Sequence, residues 1–182
     1  MSIRRKGRIN RELESIERVH DWFGLTKESW ADTDRGCALT LVAFLEVHLE
    51  KLLRSVFIKR KSVVDPLFQY PGPLNTFSAK IRVAYSLRLL CEHEYRDLTR
   101  IQKVRNKFAH ELHGISFERD PEITKLCQSL ESRKVKGLDT EGISNRWIFW
   151  LTAYNIASDI DNRTLDQETE ERIPARPVFT EP

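Results

Sequence analysis

The feature that most constrains this chain is the spacing of its apolar residues between positions 41 and 57. Leu41, Leu45, Leu49, Leu52 and Val56 recur every three or four positions, and Leu53 and Phe57 widen the stripe. That is the period of an α-helix, and a stripe this wide suits a central helix touching several neighbours. No segment of the 182 residues alternates convincingly with period two, the mark of a half-buried strand. The expected fold is all-α, a single bundle of about five to six helices.

The rest of the chain divides around that helix. Ile9, Leu13, Ile16 and Phe23 stand at helical spacing, with Gly24 as the expected stop. The central helix is expected from about Asp32–Asp34 to Lys59, with the cations Lys59, Arg60 and Lys61 at its dipole-negative end. Asp65 to Pro73 contains three prolines and Gly72 and is expected to interrupt the helices. Further helices are predicted over about 76–90 and 92–112. Asp120-Pro121-Glu122 starts a short one by capping, proline at the first helical position, and dipole complement. A last helix is predicted over about 143–165, with Trp147, Trp150, Leu151 and Tyr154 toward the core. Three regions follow: a basic arm with a first helix (1–30), the bundle (31–165), and an acidic, proline-containing tail (166–182) read as extended or disordered.

Charge bounds the function. Lys plus Arg is 30 and Asp plus Glu 27. That balance is unlike the strongly basic character of a dedicated nucleic-acid binder. It conceals an asymmetry, since basic residues gather early and acidic ones late. Cys37, Cys91 and Cys127 are few and far apart, which points to ordinary thiols in a reducing cytoplasm rather than a disulfide framework or zinc site. Glu46, His48, Glu50 and Lys51 interrupt the longest apolar stretch, and no apolar run follows the basic N-terminus, so neither a membrane span nor a secretory signal is expected. Phosphate-binding glycine loops, dinucleotide fingerprints, HExxH and nucleophile elbows are all missing. No cofactor or metal is expected, and no stretch reads as a good DNA-recognition helix.

One helix carries chemistry. Between Arg96 and His110 two patterns are superimposed. Leu98, Ile101, Phe108 and Leu112 keep an apolar rhythm in which Arg105 takes one beat, while Arg96, Arg100, Lys103 and Lys107 step by four, three and four along one stripe. The stripe reads as a solvated face or as a shallow track for RNA or DNA phosphates, a weak one with only four cations. An arginine on an apolar beat requires a carboxylate or an interface. Glu46, in the central helix, is the expected structural partner of Arg105; the alternative is a functional arginine at a subunit boundary. His110 lies about 140° around the helix from Arg105, so the two meet only if the helix end unwinds or across a dimer.

These residues resemble known families. Arg105-Asn106-Lys107-Phe108-Ala109-His110 resembles the R-N-x-x-x-H signature of HEPN domains, which are helical bundles. Gly72-Pro73-Leu74, Phe77 to Ile81, Ala84-Tyr85, Leu87 and Glu94-Tyr95-x-x-Leu98 leading into Arg105–His110 resemble the mannitol operon repressor (MtlR) family. The match covers about residues 65–124, with a looser helical extension back to about 35. The resemblance implies a bacterial transcriptional regulator acting through a protein partner without a DNA-reading motif, and the expected form is a cytoplasmic homodimer. The HEPN likeness implies an alternative, a metal-independent ribonuclease or RNA-binding toxin-like protein. In it Arg105, Asn106 and His110 of two protomers would meet in a dimer cleft, the arginine stabilising phosphorane charge and the histidine working as acid or base.

Overall fold

The computed structural model describes residue 24 and residues 33–111, 113–131 and 142–169. Among them every regular element is a helix, six in all: α1 (Asp34–Val56), α2 (Lys61–Phe68), α3 (Phe77–Ser86), α4 (Glu92–His110), α5 (Pro121–Gln128) and α6 (Asn145–Thr169). Most of the expected basic arm and first helix, and the tail beyond residue 169, lie outside the described residues. Gly24 is itself helical rather than the expected stop.

The wide leucine stripe puts α1 at the centre, packed on α6, α4 and α3. Leu41, Leu45, Leu49, Leu52 and Leu53 are all buried on it. Thr33 starts the helix by accepting the Gly36 N–H at 3.1 Å. It stops at Val56, three residues short of the expected end, because Phe57 turns into extended backbone and packs its ring 6.0 Å from that of Phe68. The dipole-complementing cation of its last turn is therefore Arg54, and Lys59 and Arg60 fall in the turn that follows.

Proline does not prevent α2. Pro66 stands inside it and removes a single N–H, while Val64 and Phe68 bury against the core. The Gly-Pro-Leu block then has a steric basis. A Cβ on Gly72 would lie 2.1 Å from the Pro66 carbonyl oxygen and 2.5 Å from that of Leu67. Only glycine lets the chain double back there, and Leu74 becomes buried while its N–H bonds Leu67 O at 2.8 Å. α3 ends at Ser86, four residues before the expected stop, where Arg88 takes a left-handed conformation (φ 59°) and the Leu89 N–H returns to Ala84 O. α6 runs to Thr169 instead of yielding to a tail at Asp166, since acidic residues do not break a helix and the first proline comes at 174.

Polar ties set the directions. Arg146 reaches Asp34 at 3.3 Å, so α6 and α1 start at the same end. Arg35 donates to the Glu111 carbonyl, so α4 ends there and runs antiparallel to both. That end is filled by Phe108, Phe117 and Phe149, with successive ring centroids 4.8 and 5.1 Å apart. Asp120 caps α5 as expected, accepting the Glu122 and Ile123 N–H groups at 2.9 Å. Glu118 caps α6 through the Asn145 N–H at 2.6 Å. Cys37 and Cys127 are buried and Cys91 is exposed, none in a disulfide.

Candidate functional site

The site is the C-terminal half of α4, and its geometry follows from a drift in the helix's buried stripe. In the first half Glu94, Asp97 and Leu98 are buried; in the second, Ile101, Val104 and Phe108. At 100° per residue the centre of the second set is rotated by about 40° from that of the first. Val104 takes the beat expected of Arg105, and Arg105 moves to the rim, where it is exposed. Its guanidinium meets the Asn106 side-chain oxygen at 3.3 Å.

The expected bridge from Arg105 to Glu46 is therefore replaced by another. Glu46 accepts from Lys80 at 2.9 Å, and Lys80 also reaches Glu50 at 2.9 Å. The Lys80 side chain is only 5% exposed. Burial opposes its charge, but the hydrogen bonds it donates to the two glutamates outweigh that and lift its pKa above the ordinary lysine value. The chain of charges continues from Glu50 to Arg54 at 2.9 Å and from Arg54 to Asp65 at 2.7 Å, tying α1 to α3 and α2. Lys80 was legible in the sequence: Phe77, Lys80, Ile81 and Ala84 share one helical face, all buried.

His110 is the last residue of α4 and is exposed. The helix stays regular up to it, with the Glu111 N–H closing on Lys107 O at 3.0 Å. Unwinding therefore does not bring His110 to Arg105, and within one protomer the two point about 140° apart.

The cationic stripe is largely neutralised. Arg96 pairs with Glu92 at 2.8 Å, and Arg100 with Asp97 at 2.7 Å. Lys107 is caged by Glu122 at 2.9 Å, Asp120 at 3.0 Å and Glu111 at 3.3 Å. Hydrogen bonds donated to Glu122 and Asp120 hold its ammonium well above the ordinary lysine range. Lys103 is exposed, and it shares with Arg105 the lack of a carboxylate within salt-bridge distance among the described residues.

The opposite end of α4 is built differently. Glu94, 1% exposed, receives the Arg163 guanidinium through both oxygens, one contact at 3.0 Å, together with the Cys91 N–H at 2.8 Å. Burial would raise its pKa, but the Arg163 and Cys91 hydrogen bonds hold the carboxyl below the ordinary range. Arg163 also donates to Leu89 O at 3.0 Å, so one ion pair fastens α6 to the start of α4. Asp97 accepts the Glu131 N–H at 3.0 Å, and burial pushes its carboxyl up despite Arg100. No cluster of His, Cys, Asp and Glu among the described residues could hold a metal ion, and no described helix is long and apolar enough to cross a membrane.

Comparison with known proteins agrees with this architecture. The fold is similar to that of a chain in the X-ray structure of the MtlR-HPr complex from Escherichia coli, with a TM-score of 0.62 and 22% identity, covering 75% of this chain and 95% of that one. No curated protein matches the chain. The family model described as mannitol repressor matches residues 27–145, well over half of the sequence. The chain belongs to the mannitol repressor family.

Proposed function

We propose that this chain is a cytoplasmic, mannitol-repressor-like regulator of transcription that works through protein–protein contacts rather than by reading DNA, and that it does so as a homodimer. The observation that carries this reading is its family membership joined to its structural likeness to a chain solved in a complex of MtlR with HPr. HPr is the proposed partner here too. The neutralised stripe on α4 supports the same direction, since three of its four cations already hold carboxylates and offer little to a phosphate backbone. Titration calorimetry with HPr from the same organism is expected to give a micromolar Kd. Absence of heat and of a co-eluting complex at several times that concentration overturns the partner. A nanomolar, sequence-selective operator shift at physiological salt overturns the indirect mode of regulation.

A second reading is favoured by one observation: Arg105 and His110 are both exposed on a helix that stays regular to its end. In a dimer joined across this face, Arg105 of one protomer and His110 of the other could flank one RNA phosphodiester, with Asn106 steadying the arginine. Metal-independent RNA cleavage in the presence of chelator, lost in both Arg105→Ala and His110→Ala, is the expected signature. Equal cleavage by wild type and variants, or none by any, removes it.

A further inference from the structure

α2 is apolar on two faces. Val64 and Phe68 point into the core, at 6% and 7% exposure. Val63 and Pro66 are exposed on its outer side, Ile58 before the helix and Tyr70 in the turn after it are exposed beside them, and Leu67 packs partly against the core. Val63 is 47% exposed, Tyr70 89% and neighbouring Ile58 64%, three of the five most exposed large hydrophobic residues described. Beside these residues stand Lys59, Arg60 and Lys61, all exposed and without a carboxylate among the described residues. The Gly72 turn, where no Cβ fits, holds the loop carrying Tyr70 against the end of α2. The patch is thus stiff, cationic and apolar.

The chain contains a segment of matching chemistry. Asp166, Glu168, Glu170 and Glu171 place four carboxylates in six residues without a cation, and Ile173, Val178 and Phe179 follow among prolines 174 and 177. Geometry brings it to the right end of the bundle. α6 runs parallel to α1, and Arg163 sits at the start of α4, so α6 ends where α1 gives way to Lys59–Lys61. The 13 residues after Thr169 span about 43 Å when extended, twice the two helix diameters of about 10 Å to be crossed. We infer that residues 170–182 of the same chain cover the outer face of α2: Glu170 and Glu171 meet Lys59–Lys61, and Ile173, Val178 and Phe179 lie over Ile58, Val63 and Tyr70. Prolines 174 and 177 favour an extended course. This inference stands independently of the HPr reading.

Hydroxyl-radical oxidation of Tyr70 tests it, comparing the full chain with one ending at Thr169 and with full-length Glu170→Lys/Glu171→Lys. Both variants are expected to oxidise Tyr70 roughly fivefold faster, as when a millimolar effective concentration holds a weak contact about four-fifths closed. A synthetic peptide of residues 166–182 restores protection to the shortened chain, and Lys59→Glu/Lys61→Glu in the full chain abolishes it. Equal oxidation in all chains overturns the inference. So does protection that grows with protein concentration, which assigns the face to a second copy, or protection that appears only when HPr is added. Circular dichroism checks that the shortened chain is folded; if it is not, the full-length charge-reversal chain decides.

Discussion

The two ends of α4 are made from the same residue types and do different work. At its start two carboxylates, Glu94 and Asp97, are buried, and each is answered by an arginine or a backbone N–H. At its end the charged and polar side chains Arg105 and His110 are exposed, and the acids gather on Lys107. The difference lies in what stands opposite. The start faces α6, which delivers Arg163, and the segment after α5, which delivers the Glu131 N–H. Near the end the core is closed by rings instead, Phe108 against Phe117 against Phe149, and charge is pushed to the rim. One end of the helix is committed to holding the bundle together, and the other presents Arg105 and His110 at the surface.

That contrast can be broken by substitution, with effects that fall in order. Phe108→Ala opens a cavity in the aromatic stack and is expected to cost about 4 kcal/mol in denaturant unfolding. Glu94→Ala strands Arg163 and is expected to cost about 3 kcal/mol, at the low end for a broken buried pair because Arg163 keeps 35% of its side-chain surface. Asp120→Ala removes the α5 cap and one of the three acids around Lys107, for about 1–2 kcal/mol. Arg105→Ala and His110→Ala are expected to change stability by less than about 0.5 kcal/mol. A large loss from either would show that the exposed end is structural after all.

Acid titration sharpens the same comparison. Glu94 has its folded pKa held below the ordinary 4.5, so the native state binds fewer protons there, and its contribution is present above about pH 4.5 and is lost as pH falls through the folded value. Asp97 is shifted upward from 3.8, so its contribution has the opposite slope, with stability gained as pH falls through its raised folded value. Unfolding free energy measured against pH is expected to decline less steeply on acidification in Glu94→Gln and more steeply in Asp97→Asn. Identical slopes would deny that the two carboxylates differ.

Much of the architecture was legible. Helical periodicity and caps located α1, α3, α4, α5 and α6 to within a few residues. The Asp120-Pro121-Glu122 start is read correctly because capping is a local interaction. α2 departs from the expectation that proline and glycine interrupt the helices there, because burial of Val64 and Phe68 outweighs one lost hydrogen bond. The expected Arg105–Glu46 bridge requires a buried stripe that runs straight along α4. In the folded chain the stripe rotates, Val104 goes in, and Lys80 from another helix reaches Glu46 first.

What the amino-acid order determined by itself is local: where helices start, which face of each is apolar, and which glycine cannot be replaced without collision. Those properties depend on neighbours within one or two turns. Which charge meets which was decided only by tertiary structure. The meetings of Glu94 with Arg163 and of Lys80 with Glu46 are separated by 69 and 34 positions along the chain. They exist because antiparallel and parallel packing bring those turns within hydrogen-bond reach. Desolvation then makes each such pairing obligatory, since a charge buried without its partner costs more than the packing around it returns.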